Sequence, residues 1–350
     1  MKKGHQSWEF YSSPTIISSG TVVGPDEGLG PLARHFDRIH GDLRLNQESW
    51  EKAERALLEE AATIAIGKVK LREEDVDFWI AGDLMNQIIS SSFAARTLGI
   101  PYLGVFGACS TAMQSLALSG LLIESGAAKR ILAGACSHRA TAERQFRNPT
   151  EYGAQKPPTA QFTVTGAGVG LIVSSSDYDE IASRQPEIPP PIRVTGATIG
   201  RVVDMGVDDP YNMGAAMAPA AVDTIQAHLR DFGRTAEDYD VIFTGDLGNI
   251  GHIIAKELLN EQGVTFKSNA FMDCGMLIFD QQKQQVWSGG SGCGCVATTA
   301  YGYLLNEMRK GTWKRILVVA TGALLSPVSY QQDETIPCIA HAVILEGGNV

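Results

Sequence analysis

Residues 75–86 read Asp-Val-Asp-Phe-Trp-Ile-Ala-Gly-Asp-Leu-Met-Asn, and residues 238–249 read Asp-Tyr-Asp-Val-Ile-Phe-Thr-Gly-Asp-Leu-Gly-Asn. Both share the Asp-x-Asp start, the Gly-Asp-Leu end and the final Asn. Each follows an alanine-rich segment of helical spacing, 50–68 in one half and 213–232 in the other. A second pair of matches comes in the same order. Gly-Ala-Cys-Ser-Thr at 107–111 leads through an apolar segment to Lys-Arg-Ile-Leu-Ala-Gly-Ala at 129–135. Gly-Cys-Gly-Cys-Val at 292–296 leads likewise to Lys-Arg-Ile-Leu-Val-Val-Ala at 314–320. Two ordered matches mean a duplicated unit. A chain holding one α/β unit twice must bury two similar sheets.

The strands read as continuous apolar runs at 78–81, 130–135, 168–173, 241–244, 316–320 and 342–345. Continuous rather than alternating apolarity marks strands covered on both faces. Charged residues make up 19% of the chain, below the usual ~25%, as two covered sheets require. The segments 111–125 and 296–309 are apolar nearly all round, so these helices belong at the centre. The pattern predicts a duplicated five-layer αβαβα fold with two buried central helices. Its halves are 1–188 and 189–350, and the junction lies at 174–191, where serines and Pro189-Pro-Pro interrupt the periodicity. Much of the glycine, 37 residues in all, falls at strand-to-helix turns expected to line a central pocket: Gly82, Gly107, Gly245, Gly289, Gly290, Gly292 and Gly294.

A formal charge of −10 argues against a nucleic-acid partner, because an acidic surface repels phosphate. The longest apolar runs, such as 316–320, fall far short of the ~20 residues of a membrane span. The opening Met-Lys-Lys-Gly-His-Gln-Ser-Trp lacks the apolar stretch of a secretory signal. The six cysteines lie mostly in apolar or glycine-rich segments, which reads as a reduced protein without a disulfide framework. Cys293-x-Cys295 has no second pair, so no metal is assigned. No cofactor is expected.

Cys109 follows Phe106-Gly-Ala between a strand and a buried helix. A thiol at a helix N-terminus meets free N–H groups and the positive end of the macrodipole, which lower its pKa. That placement suits a nucleophile or an anion pocket. A small buried core residue is the alternative.

Here a resemblance adds to the reading. The duplicated half, the helix pair and the cysteine at the first helix resemble the thiolase and ketoacyl-synthase superfamily. More closely, the chain resembles the stage V sporulation protein AD family of spore-forming bacteria from about Gln6 to Glu346. The stretches that carry the likeness are Ala-Gly-Asp-Leu-Met-Asn-Gln at 81–87, Phe-Gly-Ala-Cys-Ser-Thr at 106–111 and Ser-His-Arg-Ala-Thr-Ala-Glu-Arg-Gln-Phe-Arg-Asn-Pro-Thr-Glu-Tyr-Gly at 137–153. Others are Met-Gly-Ala-Ala-Met-Ala-Pro-Ala-Ala at 213–221, Gly-Gly-Ser-Gly-Cys at 289–293 and Ala-Thr-Gly-Ala-Leu-Leu-Ser-Pro at 320–327. The resemblance implies a non-catalytic protein of sporulation. Such a protein binds dipicolinic acid, alone or with calcium, and supports its uptake into the developing spore. It also implies a soluble subunit docked on membrane channel subunits, peripheral at the spore inner membrane, and a homodimer built through the first half's sheet.

Departures from the enzyme pattern agree with this. Condensing enzymes of the superfamily carry a His in the second-half strand-end loop and an Asn at the second buried helix. This chain offers Asp246 in the first place and Ser291 and Cys293 in the second. Carboxylates at Asp83 and Asp246 oppose an oxyanion rather than stabilise it. Cys109 is therefore a vestigial nucleophile, and no catalytic residue is assigned. His138 and His341, each near a strand, are candidate neighbours of Cys109, with structural roles as the alternative. Cys338 resembles the second thiolase cysteine. Arg139, Arg144 and Arg147 cluster after a strand end and suit carboxylates, with Phe146 to stack on a pyridine ring; a salt-bridged surface loop with Glu143 and Glu151 is the alternative. The expected ligand-binding set is Asp83, Cys109, His138, Arg139, Arg144, Phe146, Asp246, Ser291 and His341. The competing function is acyl transfer by Cys109 with His138 or His341 as base.

Overall fold

The computed structural model describes residues 1–146 and 156–348. Two five-stranded sheets, joined edge to edge into one continuous sheet with Lys2–Lys3, Ser7–Glu9 and Arg38–Ile39 added beside them, form its frame. Across the first, the order is Tyr102–Gly104, Phe78–Gly82, Arg130–Ser137, Gly166–Val173, Thr15–Val23. Across the second, it is Phe271–Asp273, Val241–Thr244, Arg315–Ala323, Cys338–Gly347, Ile192–Ile199. Numbered within each half, both orders are 3-2-4-5-1. In each sheet three strands run parallel and the last two join antiparallel. The first strand of each half even carries its bulge at the same register, between Ile16 and Ser18 and between Val194 and Gly196. The sheets meet where Thr15 and Ile16 pair with Arg193 and Ile192.

The duplicated acidic turn has one physical purpose in both halves. Asp75 accepts from the Arg72 N–H and Asp238 from the Thr235 N–H, so each caps a short 3-10 turn. Asp77 accepts from the backbone N–H groups of Lys129 and Arg130, and Asp240 from those of Lys314 and Arg315. The second Asp thus clasps the start of the neighbouring strand. That is why Asp-x-Asp recurs together with Lys-Arg.

The layers follow from alternation along each strand. In Arg130–Ser137, Ile131, Ala133 and Ala135 join the central apolar cluster, while Leu132 and Cys136 join an outer one. In Arg315–Ala323, Ile316, Val318 and Ala320 face the centre, and Leu317 and Val319 face the other outer cluster. The outer clusters are covered by the helices Trp50–Gly67 and Met213–Phe232. Between the sheets lie Thr111–Glu124 and a second helical stretch, Cys293–Thr298, continued by the π turn Thr299–Leu304 and by Leu305–Arg309. This is the five-layer arrangement expected from the repeat.

Three expectations change. The segment 174–191 is not an irregular linker, because Ser174 caps a helix, Ser175–Arg184, by accepting from the Asp177 N–H. Residues 139–146 are a helix rather than a loop. Glycine also serves close packing more than it lines a pocket. A Cβ at Gly168 would sit 2.4 Å from the Ala297 backbone, and one at Gly170 would sit 2.4 Å from the Tyr301 ring. The second buried helix therefore lies directly on a glycine-rich strand.

Candidate functional site

Cys109 sits on a tight elbow. Ala108 has φ +49°, a left-handed conformation costly for a residue with a Cβ. Two hydroxyls hold it there: Ser110 Oγ donates to the Gly107 carbonyl at 2.6 Å, and Thr111 Oγ1 donates to the Ala108 carbonyl at 2.7 Å. The Gly107 N–H in turn donates to Thr111 Oγ1. From the other half, Gly322 backs the elbow so closely that a Cβ there would lie 2.2 Å from the Gly107 carbonyl oxygen. The motifs Gly-Ala-Cys-Ser-Thr and Ala-Thr-Gly-Ala are thus two sides of one contact.

The thiol is buried and faces the Asp246 carboxyl, with the Gly292 N–H beside it. Asp246 is fixed by three further contacts. Its Oδ1 accepts from Thr321 Oγ1 at 2.8 Å, its Oδ2 accepts from the Gly292 N–H at 2.9 Å, and its carbonyl accepts from Gln161 Nε2. Burial pushes the Asp246 pKa up to about 7. Burial, and then the Asp246 charge, push the Cys109 thiol well above the usual range. This corrects the expectation of a lowered pKa: desolvation and a facing carboxyl outweigh the helix terminus. Ser291 is buried on the same pocket wall. Cys293 instead donates to the Cys136 carbonyl at 2.8 Å.

Over Cys109 lies an inner chamber of about 30 Å³, walled by Leu84, Ala142, Phe146, Met213 and Leu325, with Thr163 and Ser291 as its polar atoms. It has room for one or two waters. Leu84, Phe146 and Leu325 also border an outer vestibule of about 250 Å³, whose polar lining is Asn86, Gln87, Gln145 and Ser326. No cationic side chain lines either space among the described residues.

The structure therefore brings Cys109, Phe146, Asp246 and Ser291 together. The other five expected residues lie elsewhere. Asp83 is buried in the matching turn of the first half and accepts from the Ser91 N–H, Ser91 Oγ and the Met85 N–H, so it caps a helix start. His138 meets the Leu43 carbonyl through Nε2 and accepts from the Ala140 N–H. His341 accepts from the Gly200 N–H, and burial pushes its pKa down to about 4. His138 is thus satisfied at both ring nitrogens by backbone groups, and His341 is held at Nδ1.

Arg139 pairs with Asp26 at 3.5 Å and lies 4.1 Å over the Phe162 ring. Arg144 pairs with Glu51. At ~100° per residue Arg144 leaves the helix on the side opposite Phe146, whereas Arg139 shares the side of Phe146 but sits two turns away. Arg147 and Glu151 lie outside the described residues. Cys338 contacts the Ile336 carbonyl and does not line the pocket. Leu84, Ala142, Thr163, Gln145, Met213 and Leu325 were not foreseen as lining; the helical spacing of 142, 145 and 146 was the available signal. Among the described residues no group of three or more His, Cys, Asp or Glu is placed to hold a metal.

The family model of stage V sporulation protein AD matches residues 4–346. The chain belongs to that family. It is 48% identical over 343 residues to stage V sporulation protein AD of Bacillus subtilis (strain 168), covering 98% of this chain and 97% of that protein. Similar solved structures are enzymes. Human mitochondrial 3-ketoacyl-CoA thiolase in complex with CoA superposes with a TM-score of 0.59 at 14% identity, covering 97% of this chain and 99% of its own. The 3-oxoacyl-[acyl-carrier-protein] synthase III of Aquifex aeolicus VF5 gives 0.56 at 14% identity, covering 95% and 99%. At such identities the likeness is one of fold, and this family member has a thiolase-like fold. It is a sporulation protein, and among its described residues no helix is long and apolar enough to cross a membrane.

Proposed function

We propose that this sporulation protein is a non-catalytic binder of dipicolinic acid that supports uptake of the compound into the developing spore. In this reading it acts as a soluble, peripheral subunit of a membrane-associated channel assembly. The observation that carries the non-catalytic part is the Cys109–Asp246 pair. A nucleophile needs a base that takes its proton. Among the described residues no His or cationic side chain lines the Cys109 chamber to stabilise a thiolate, and burial with the facing Asp246 carboxyl pushes the thiol away from that form.

The absence of a cationic side chain from this lining among the described residues supports the calcium chelate over the bare dianion as cargo. An unpaired charge is costly to bury, whereas calcium bound to both carboxylates presents a nearly neutral disc. The vestibule has room for a flat ring, and Phe146 at its inner end can stack on it. Titration calorimetry tests this. Dipicolinate with calcium binds with saturable heat, tighter than dipicolinate alone, and Phe146→Ala weakens it. Absence of saturable heat at millimolar ligand with and without calcium refutes the reading.

Acyl transfer by Cys109 is the second reading, supported by the enzyme fold and the elbow. Intact-mass measurement after incubation with acyl-CoA separates the two. An adduct lost in Cys109→Ala favours the enzyme, and no adduct across chain lengths favours the binder.

A further inference from the structure

Leu324, Leu325 and Ser326, which line the vestibule, run directly into the short helix Pro327–Gln331. The chain then returns beside the segment 201–209. Val203 and Cys338 exchange backbone N–H bonds at 2.8 Å, and the Ile336 N–H donates to the Val207 carbonyl. Thr335 Oγ1 donates to Asp204, and the Glu334 N–H donates to the Ser329 carbonyl. Two distant segments thus form one lip at the edge of the vestibule.

The inner side of this lip is packed in the ordinary way, with Val203, Val207, Leu325 and Ile336 in the outer apolar cluster. Its outer side is unusual. Val202, Met205, Val328 and Tyr330 are each between 49% and 68% exposed. Large apolar side chains grouped on a surface mark a place of interaction. The charges around them have one sign. Asp204, Asp208, Asp209, Asp333 and Glu334 lie exposed in the same two segments, and the one cation there, Arg201, is already paired with Asp223. Asp204 and Asp209 also accept from the backbone N–H groups of Gly206 and Tyr211, which fixes their carboxylates but leaves their charge in place.

We infer that this lip is a docking surface for a protein segment that carries apolar side chains flanked by Lys or Arg. Five carboxylates repel an anionic bilayer, so the apolar residues suit a protein rather than lipid. The same carboxylates steer a basic partner and set its orientation. A partner seated here stands beside the entrance to the Cys109 pocket. The inference rests on the channel-subunit reading only in placing that partner in a membrane.

Fluorescence anisotropy on the full chain tests it, with a labelled amphipathic peptide of leucine and lysine as probe. A leucine and glutamate peptide of the same pattern and phosphatidylglycerol vesicles serve as comparisons. The lysine peptide binds saturably and more weakly as salt rises, and neither comparison binds as well. Met205→Asp with Val328→Asp weakens the peptide by about tenfold or more. Asp208→Lys with Asp333→Lys weakens it by about threefold or more and flattens the salt dependence. All four residues are exposed, so circular dichroism stays that of the wild type. Phe93→Gln, on the exposed surface of the first half, leaves binding intact. In sporulating cells a photo-crosslinker at Met205 joins the protein to a segment of the stated chemistry, identified by mass spectrometry. A soluble partner of that chemistry keeps the docking surface and removes the channel reading. The inference is overturned by no saturable peptide binding, by equal binding of either comparison, by affinity that survives the paired substitutions or is lost in Phe93→Gln, or by a crosslink to an acidic segment or to none.

Discussion

Asp83 and Asp246 stand at matching positions of the repeat, yet each serves a different neighbour. Asp83 caps the chain around Ser91, and Asp246 crosses to the other half and meets Cys109. The folded pKa of Asp246, about 7 against 3.8 for the free group, has a signed consequence. Between these values the unfolded chain has released a proton that the folded protein keeps. Stability from this group is therefore complete below pH ~4, falls as pH rises to ~7, and levels off above. Asp246→Asn removes that slope. Denaturant unfolding from pH 4 to 8 will show a wild-type advantage over the variant that shrinks with pH and then stays constant; a constant difference throughout contradicts the assignment. The same substitution removes the charge that raises the thiol. Alkylation of Cys109 by iodoacetamide at pH 8 then speeds up, because the thiolate is less disfavoured.

Secondary elements show where the periodicity argument held and where it stopped. Runs such as 130–135 and 316–320 were legible because both faces of those strands are covered. Thr15–Val23 and Ile192–Ile199 were not, since Ser18-Ser-Gly20 and the polar alternation of Arg193 and Thr195 break the apolar run. Gly20 is demanded by the neighbouring helix, whose Ala61 carbonyl would lie 2.0 Å from any Cβ there. The glycines of Gly166–Val173 answer a similar demand from the second buried helix. Gly168→Val forces side-chain atoms into the Ala297 backbone and costs about 1–3 kcal/mol or more. A melt followed by circular dichroism will show Tm lowered by several degrees, and an unchanged Tm would mean that the helix can retreat. The arginines of the helix Arg139–Phe146 teach the opposite lesson. Read as a loop they converge on one ligand; wound into a helix they separate to Asp26 and Glu51.

Among the described residues, one edge of the first sheet is left unpaired. The strand Tyr102–Gly104 pairs on one side with Phe78–Gly82, and Ile89, Phe93, Leu103 and Phe106 are exposed apolar residues of that edge and of the adjoining segments. Exposed apolar residues beside an unpaired strand suit a second copy of the chain. Light scattering is expected to give a dimer mass for the wild type and a monomer mass for Phe93→Glu with unchanged circular dichroism. A monomeric wild type rejects this interface.

The sequence by itself determined the duplication, the layers that it entails, the two central helices and the elbow at Cys109, because these rest on local spacing and on apolar faces that any fold must bury. The far partners were another matter. That Asp246 faces Cys109, that His138 meets the Leu43 carbonyl and that His341 accepts from the Gly200 N–H all depend on residues distant in the chain. Tertiary packing decided them, since a contact is a property of what comes to lie beside a side chain.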